Sequence, residues 1–167
     1  MMTEKEYNDI IIPLRDKMFR FARAILITGN SSELAEDVVH DVLETLWRKR
    51  NNLDECKRVE SFVMTSVKNK CYDLIRHDKA RMNCDINYES INEDSAQWDM
   101  RKILSSVLNT LPDRQREIIH LKDIEGYETY EISEIMSIGE NNVRAILSRS
   151  RKELKKRIEN IMDYGTK

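Results

Sequence analysis

Apolar residues recur at three- and four-residue steps through almost all of this 167-residue chain, and the pattern lapses once, between Asp78 and Gln97. That period belongs to helices with one buried face, and a single lapse divides the chain into two helical parts. Four glycines and two prolines are too few to punctuate a strand-rich fold. Leu, Ile, Glu, Lys, Arg and Met dominate instead, which favours helices. The expectation is an all-α protein of two small helical domains, spanning 1–78 and 98–167, joined by a flexible acidic linker over 79–97.

In the first part, Tyr7, Ile10, Ile11, Leu14, Met18, Phe21, Ala22, Ile25 and Leu26 share one face. Pro13 restricts the residue before it and lacks a donor, so a short helix breaks near Ile12 and a longer one carries Pro13 in its first turn. Gly29 suits a helix end, and Asn30 or Ser31 can cap the next start. Apolar doublets from Leu34 to Trp47 make a wide buried face, and outside it Asp37, Asp41, Glu44 and Arg48 form one stripe. Such a stripe is either a solvated surface or a dock for a basic partner. Asn51 to Glu60 reads as a loop with residual helix. Ser61 can then cap a helix through Ile75, burying Phe62, Val63, Val67, Cys71 and Leu74 or Ile75. Its other side carries Thr65, Lys68, Asn69, Tyr72 and Arg76, a mixture that suits unstacked bases and equally suits plain solvation.

After the lapse, Trp98 to Leu111 marks a helix ended by Pro112. Pro112 or Asp113 opens the next, with Ile118, Ile119, Leu121 and Ile124 inward and Gly126 at its end. Thr129 can cap a short helix to Met136, "SIG" turns the chain, and a long helix runs from Glu140. This is helix-turn-helix spacing: Ile132, Ile135, Met136, Ile138, Val143, Ile146 and Leu147 supply packing. Arg144, Ser148 and Arg149 project outward, with Asn141 and Asn142 at the helix start. A plain helical hairpin would show the same apolar spacing, but charge argues for an anionic partner. The net charge is only −2, yet Val143 to Arg157 holds seven basic residues against one acid, and Asn83 to Asp99 holds five acids and no base.

Cys56, Cys71 and Cys84 show neither a Cys-x-x-Cys pair nor zinc spacing, and read as free thiols. His40 beside Asp41 and Glu44 has no second ligand cluster, so no metal is expected. No phosphate-cradling loop or nucleophile motif is present, so neither cofactor nor enzyme activity is expected. No apolar run approaches a bilayer span and the N-terminus is charged, so no membrane insertion and a cytoplasmic location are expected.

"LPDRQREIIHLKDIEGYETYEISEIMSIGENNVRAILSRSRKELKKRI" resembles the C-terminal domain of bacterial RNA polymerase sigma factors of the extracytoplasmic-function (ECF) class. "AEDVVHDVLETLWRKR" resembles that family's polymerase-binding helix, and "ESFVMTSVKNKCYDLIRHDKAR" its promoter-melting and minus-ten-reading helix. The resemblance runs from Tyr7 to Ile158 in the family's order. It implies a sigma factor whose 1–78 domain is sigma region 2 and whose 98–167 domain is sigma region 4. Asp37, Asp41, Glu44, Trp47 and Arg48 would then grip the β′ clamp helices of core polymerase, with a further contact to the β flap. Lys68, Asn69, Tyr72 and Arg76 would face the minus-ten element, and the Asn51 to Glu60 loop would capture a base from the melted non-template strand. Asn141, Asn142, Arg144, Ser148 and Arg149 would read the duplex minus-thirty-five element, with Arg151, Lys152 and Lys155 on phosphates. An anti-sigma factor is an implied partner.

Two departures stand out. The family's turn runs Gly-Ile-Ser, whereas here it is Ser137, Ile138, Gly139, so a serine takes the left-handed position at a cost on the order of 1 kcal/mol. The family's small alanine on the first helix is Ser133. A conventional two-domain helix-turn-helix regulator and a helical adaptor that binds only proteins are the alternative readings.

Overall fold

A computed structural model describes residues 1–27, 31–53, 58–81 and 100–165. Among these, every regular element is helical. The chain divides into two compact units, Met1–Glu89 with Glu134–Ser137 and Ser90–Ser133 with Ile138–Lys167.

In the first unit, α1 (Glu4–Ile10) opens with a capping box, in which Thr3 Oγ1 accepts from the Glu6 N–H and the Glu6 carboxylate accepts from the Thr3 N–H. Pro13 sits in a 3-10 turn, Ile12–Leu14, and α2 (Arg15–Ile25) follows, so the break falls at the expected place with the proline just ahead of the helix. α3 spans Ser31–Arg48, α4 is the single turn Arg50–Leu53, and α5 runs Val59–Arg81. α2, α3 and α5 pack on one another. Their core is Met18, Phe21, Ala22 and Ile25 from α2, Ala35, Val38, Val39, Val42 and Leu46 from α3, and Val63, Met64, Val67 and Cys71 from α5. A fully buried side chain of the larger kinds here contributes roughly 1.5–3 kcal/mol. Ile10, expected on the buried face, is exposed, because the 3-10 turn rotates the chain just after it.

α5 departs most from expectation. It starts at Val59, so Ser61 is inside the helix rather than its cap, and its carbonyl accepts from Thr65 Oγ1 at 2.7 Å. The early start has a cause: Glu60 suits the positive end of the helix, and Lys17 of α2 reaches it at 2.9 Å. The helix also passes Ile75 and the proposed domain limit at residue 78, because Arg76 to Lys79 are polar but helix-compatible, and Asp73 pairs with Arg76. The stretch read as a loop with residual helix, Asn51 to Glu60, includes the end of α4 and the start of α5. Residues 54–57, the Gly29–Asn30 helix junction, Cys56, Cys84, Trp98 and most of the expected linker lie outside the described residues.

The second unit comprises α6 (Met100–Asn109), α7 (Asp113–Ile119), α8 (Thr129–Met136) and α9 (Glu140–Gly165). Pro112 caps α7, and a π turn, His120–Ile124, continues it. Gly126 closes that turn with φ +77°, where the Tyr127 N–H reaches the Leu121 carbonyl at 2.9 Å. Ile118, Ile119 and Leu121 are buried as expected, whereas Ile124 is about half exposed because the wider π turn shifts it off that face. From α9, Val143, Leu147, Ser150 and Leu154 point inward at four-, three- and four-residue steps. Thr129 does not cap α8: the Glu128 carbonyl accepts from the Ile132 N–H, and the Glu131 carboxylate reaches back to the Glu128 N–H at 2.8 Å. The Glu131 carboxylate thus covers the N–H of the residue just ahead of the helix, the carboxylate half of a capping box.

Candidate nucleic-acid interface

The second helix of the helix-turn-helix, α9, leaves Asn141, Asn142, Arg144, Ser148, Arg149, Arg151 and Lys152 all exposed, while Val143 and Leu147 anchor its other side. Two of the cations are already held. Arg144 donates to the Glu140 carboxylate at 3.1 Å and to Asn141 Oδ1 at 3.2 Å, which fixes it over the first turn of the helix. Arg151 spans to Asp123 in the π turn, with Nε 3.1 Å from one carboxylate oxygen and the guanidinium also on the other. That hydrogen bond raises the Arg151 pKa above its ordinary value, outweighing the opposing effect of desolvation. Arg157, farther along, does not face outward to an anion. It donates to the Thr110 carbonyl at 3.0 Å and pairs with Glu153, tying α9 to the end of α6.

The turn ahead of α9 is closed as a Schellman-type end. The Ile138 N–H bonds the Ser133 carbonyl at 3.1 Å and the Ser137 N–H bonds the Glu134 carbonyl at 3.3 Å. Ser137 adopts φ +54°, the left-handed position expected of it. Gly139 supplies the carbonyl that accepts the first bond of α9, from Val143 at 3.1 Å.

In the first unit, Asp37, Asp41, Glu44 and Arg48 are exposed on α3. Asp41 pairs with Lys70 of α5 at 3.0 Å, and Glu44 pairs with Arg48 within the helix. Trp47 is half-buried and closely framed. Tyr7 meets its ring edge-on at 5.1 Å, and the Arg50 guanidinium sits 4.2 Å from its ring centroid. The Tyr7 hydroxyl donates to the Leu43 carbonyl at 2.7 Å, and burial pushes its pKa up. Neither Tyr7 nor Arg50 was singled out from the sequence as a neighbour of Trp47, and nothing in local spacing could pair position 7 with 47.

On α5, Asn69 and Arg76 are exposed and Tyr72 is half-buried. Lys68 contradicts the expectation of an outward cation: it is buried, with Nζ 5.9 Å from the Tyr72 ring. Phe62 contradicts it in the other sense, being expected inside but 45% exposed. One reason covers both. The buried face follows Val63, Met64, Val67 and Cys71, and at about 100° per residue Phe62 falls opposite it while Lys68 falls on its margin. Phe62 therefore lines an open groove between α3 and α5, together with Thr45, Leu46, Asn52, Leu53 and Asn69. An aromatic face, an apolar floor and two amides are the groups that stack and hydrogen-bond an unpaired base.

Residues 11–81 match the family model described as Sigma-70 region 2, and residues 101–154 that described as Sigma-70, region 4. This chain belongs to the sigma-70 family. The ECF RNA polymerase sigma factor SigM of Bacillus subtilis (strain 168) is 24% identical over 139 residues, covering 80% of this chain and 85% of that protein. SigW of the same organism is 24% identical over 171 residues, covering 93% and 90%. These relatives place the sigma factor in the ECF class. Its fold is shared with the sigma factor RpoE solved in complex with the anti-sigma factor NepR from Bartonella quintana, with TM-score 0.74, 20% identity and coverage of 93% of this chain and 98% of that one. It is shared too with CnrH in complex with the cytosolic domain of CnrY, with TM-score 0.67, 18% identity and coverage of 95% and 90%. Sigma factors bind core RNA polymerase and recognise promoters, and neither alternative reading is favoured. Among the described residues no helix is long and apolar enough to cross a membrane.

Proposed function

We propose that this ECF sigma factor engages core polymerase through α3 and reads a promoter with two helices, α5 on the melted minus-ten strand and α9 on the minus-thirty-five duplex. The observation that carries the reading is that one chain holds both sigma regions in order, and that α9 exposes every polar residue assigned to base or phosphate contact. Asp37, Asp41, Glu44, Trp47 and Arg48 form the α3 surface that meets the clamp helices of β′. The half-buried Trp47 is its apolar element and the carboxylates its charge. Asn69, Tyr72 and Arg76 meet the minus-ten strand. Lys68 acts from beneath Tyr72, and the Phe62 groove receives an unpaired base. Asn141, Asn142, Arg144, Ser148 and Arg149 contact bases, and Arg151 and Lys152 contact phosphates. The working domains are 1–81, which takes in all of α5, and 98–167, with 82–97 as an acidic connector and with a second polymerase contact at the β flap. The protein performs no chemistry itself and acts in the cytoplasm. An anti-sigma factor is a further partner, a reading supported by the RpoE complex with NepR.

The test is run-off transcription with purified core polymerase. Unsubstituted protein is expected to drive initiation from a cognate promoter. Asp41→Ala and Trp47→Ala are expected to weaken core binding about tenfold or more, as central interface residues do. Binding to palindromic duplex as a dimer, without polymerase, would overturn the reading in favour of a conventional regulator.

A further inference from the structure

We propose that Ser133 is a positioning residue for promoter reading: its hydroxyl locks the turn that sets the angle at which α9 meets duplex DNA. The inference rests on the assignment of α9 as the minus-thirty-five reader and deepens it.

Ser133 and Ile138 are bonded in both directions. The Ile138 N–H donates to the Ser133 carbonyl at 3.1 Å, and Ser133 Oγ donates to the Ile138 carbonyl at 2.7 Å. The first bond belongs to any helix end of this type, but the second exists only because position 133 carries a hydroxyl. Between the two residues lies Ser137 at φ +54°, a conformation that a residue with a Cβ enters at a cost. Ser137 is exposed, so packing does not hold it there. Gly139 is unbraced too, since a Cβ placed on it would meet nothing within 4 Å. Val143 and Leu147 anchor the body of α9, and the clasp between Ser133 and Ile138, a single residue before Glu140 begins the helix, sets how its first turn leaves the strained backbone.

Asn141, Asn142 and Arg144 lie in the first turns beyond that point. At a 1.5 Å rise per residue, a tilt of about 10° at the turn moves a group about five residues along by more than about 1 Å. Paired hydrogen bonds to a base edge do not survive such a shift, whereas attraction to phosphates does. The two serines of this turn thus act as one device: the hydroxyl of Ser133 stabilises the strained backbone at Ser137.

The experiment assembles full-length variants with core polymerase and selects from a duplex library randomised through both promoter elements. Ser133→Thr and Ser133→Val compare side chains of nearly equal shape with and without the hydroxyl. Ser133→Val is expected to reduce enrichment of minus-thirty-five sequences about three- to tenfold, the scale of one hydrogen bond. Minus-ten enrichment and affinity for random duplex should stay near the unsubstituted level, thermal unfolding should fall by no more than the loss of one hydrogen bond, and Ser133→Thr should keep full enrichment. Adding Ser137→Gly to Ser133→Val should restore it, because glycine enters the left-handed region freely. The proposal is overturned if Ser133→Val enriches like the unsubstituted protein, if random-duplex affinity falls with selectivity, or if Ser137→Gly gives no rescue. If the unsubstituted protein itself enriches no minus-thirty-five sequence, the assignment of α9 fails and carries this proposal with it. That result is distinct from enrichment that Ser133→Val leaves untouched.

Discussion

Trp47 is held by one neighbour forty positions earlier and another three positions later, and the earlier one is the more instructive. The Tyr7 hydroxyl has its partner in the Leu43 carbonyl, and its ring stands edge-on to Trp47. Tyr7→Phe keeps the ring contact and removes the hydrogen bond, so it should destabilise the first unit by about 1 kcal/mol. Urea unfolding followed by Trp47 fluorescence measures this once Trp98, the second of the two tryptophans, is replaced by Phe. The sign of the pH effect follows from the raised pKa of Tyr7, which burial causes. The folded state holds the phenol proton more tightly, so the stabilisation is complete below the unfolded value of about 10 and is lost as pH rises through the folded value. The stability gap between the unsubstituted protein and Tyr7→Phe should therefore narrow in alkali. A gap that stays constant past that range would show that the hydroxyl contributes nothing through its protonation.

At the scale of elements, what the sequence made legible was periodic, and what it hid was either phase or partnership. The apolar steps of α2, α3 and α9 announced their buried faces, and the inverted turn placed a serine in the left-handed position where φ +54° is found. The phase of α5 could not be read. The face that α5 buries, Val63, Met64, Val67 and Cys71, turns Phe62 outward and leaves Lys68 on its margin, and which face is buried depends on the helices packed against it. Arg116 shows the same limit: it is buried because its guanidinium reaches the Leu111 carbonyl at 3.1 Å and Asp113 at 2.8 Å, a pairing that a count of charges does not disclose. The basic run on α9 is likewise less free than its composition suggests, since Asp123 holds Arg151. Asp123→Ala removes an acid beside the surface proposed to meet DNA and releases that cation. Affinity for random duplex should rise several-fold, and the slope of its logarithm against salt should steepen by about one unit. An unchanged slope would mean that Arg151 already reaches phosphate with Asp123 in place.

At the scale of the whole molecule, a net charge of −2 conceals a division of labour. Carboxylates crowd the outer side of α3, cations the outer side of α9, and α5 carries the amide of Asn69 and the rings of Phe62 and Tyr72 between them in sequence. A surface of acids suits a basic protein partner, a surface of cations suits phosphate, and a mixed surface with a ring suits unpaired bases. Because α5 and α9 belong to separate compact units, loss of one proposed reading surface should leave the other intact. Arg149→Ala should lower discrimination between a cognate and a scrambled minus-thirty-five element about tenfold, the scale of a base contact, while a promoter already melted at its minus-ten element binds as before. Asn69→Ala together with Arg76→Ala should show the reverse, with duplex selectivity retained and strand opening reduced. Footprinting on closed promoter reports the first property, and permanganate reactivity of unpaired thymines reports the second. Variants that lose both properties together from a change in either helix would mean that recognition and opening are one cooperative event rather than the work of two separate surfaces.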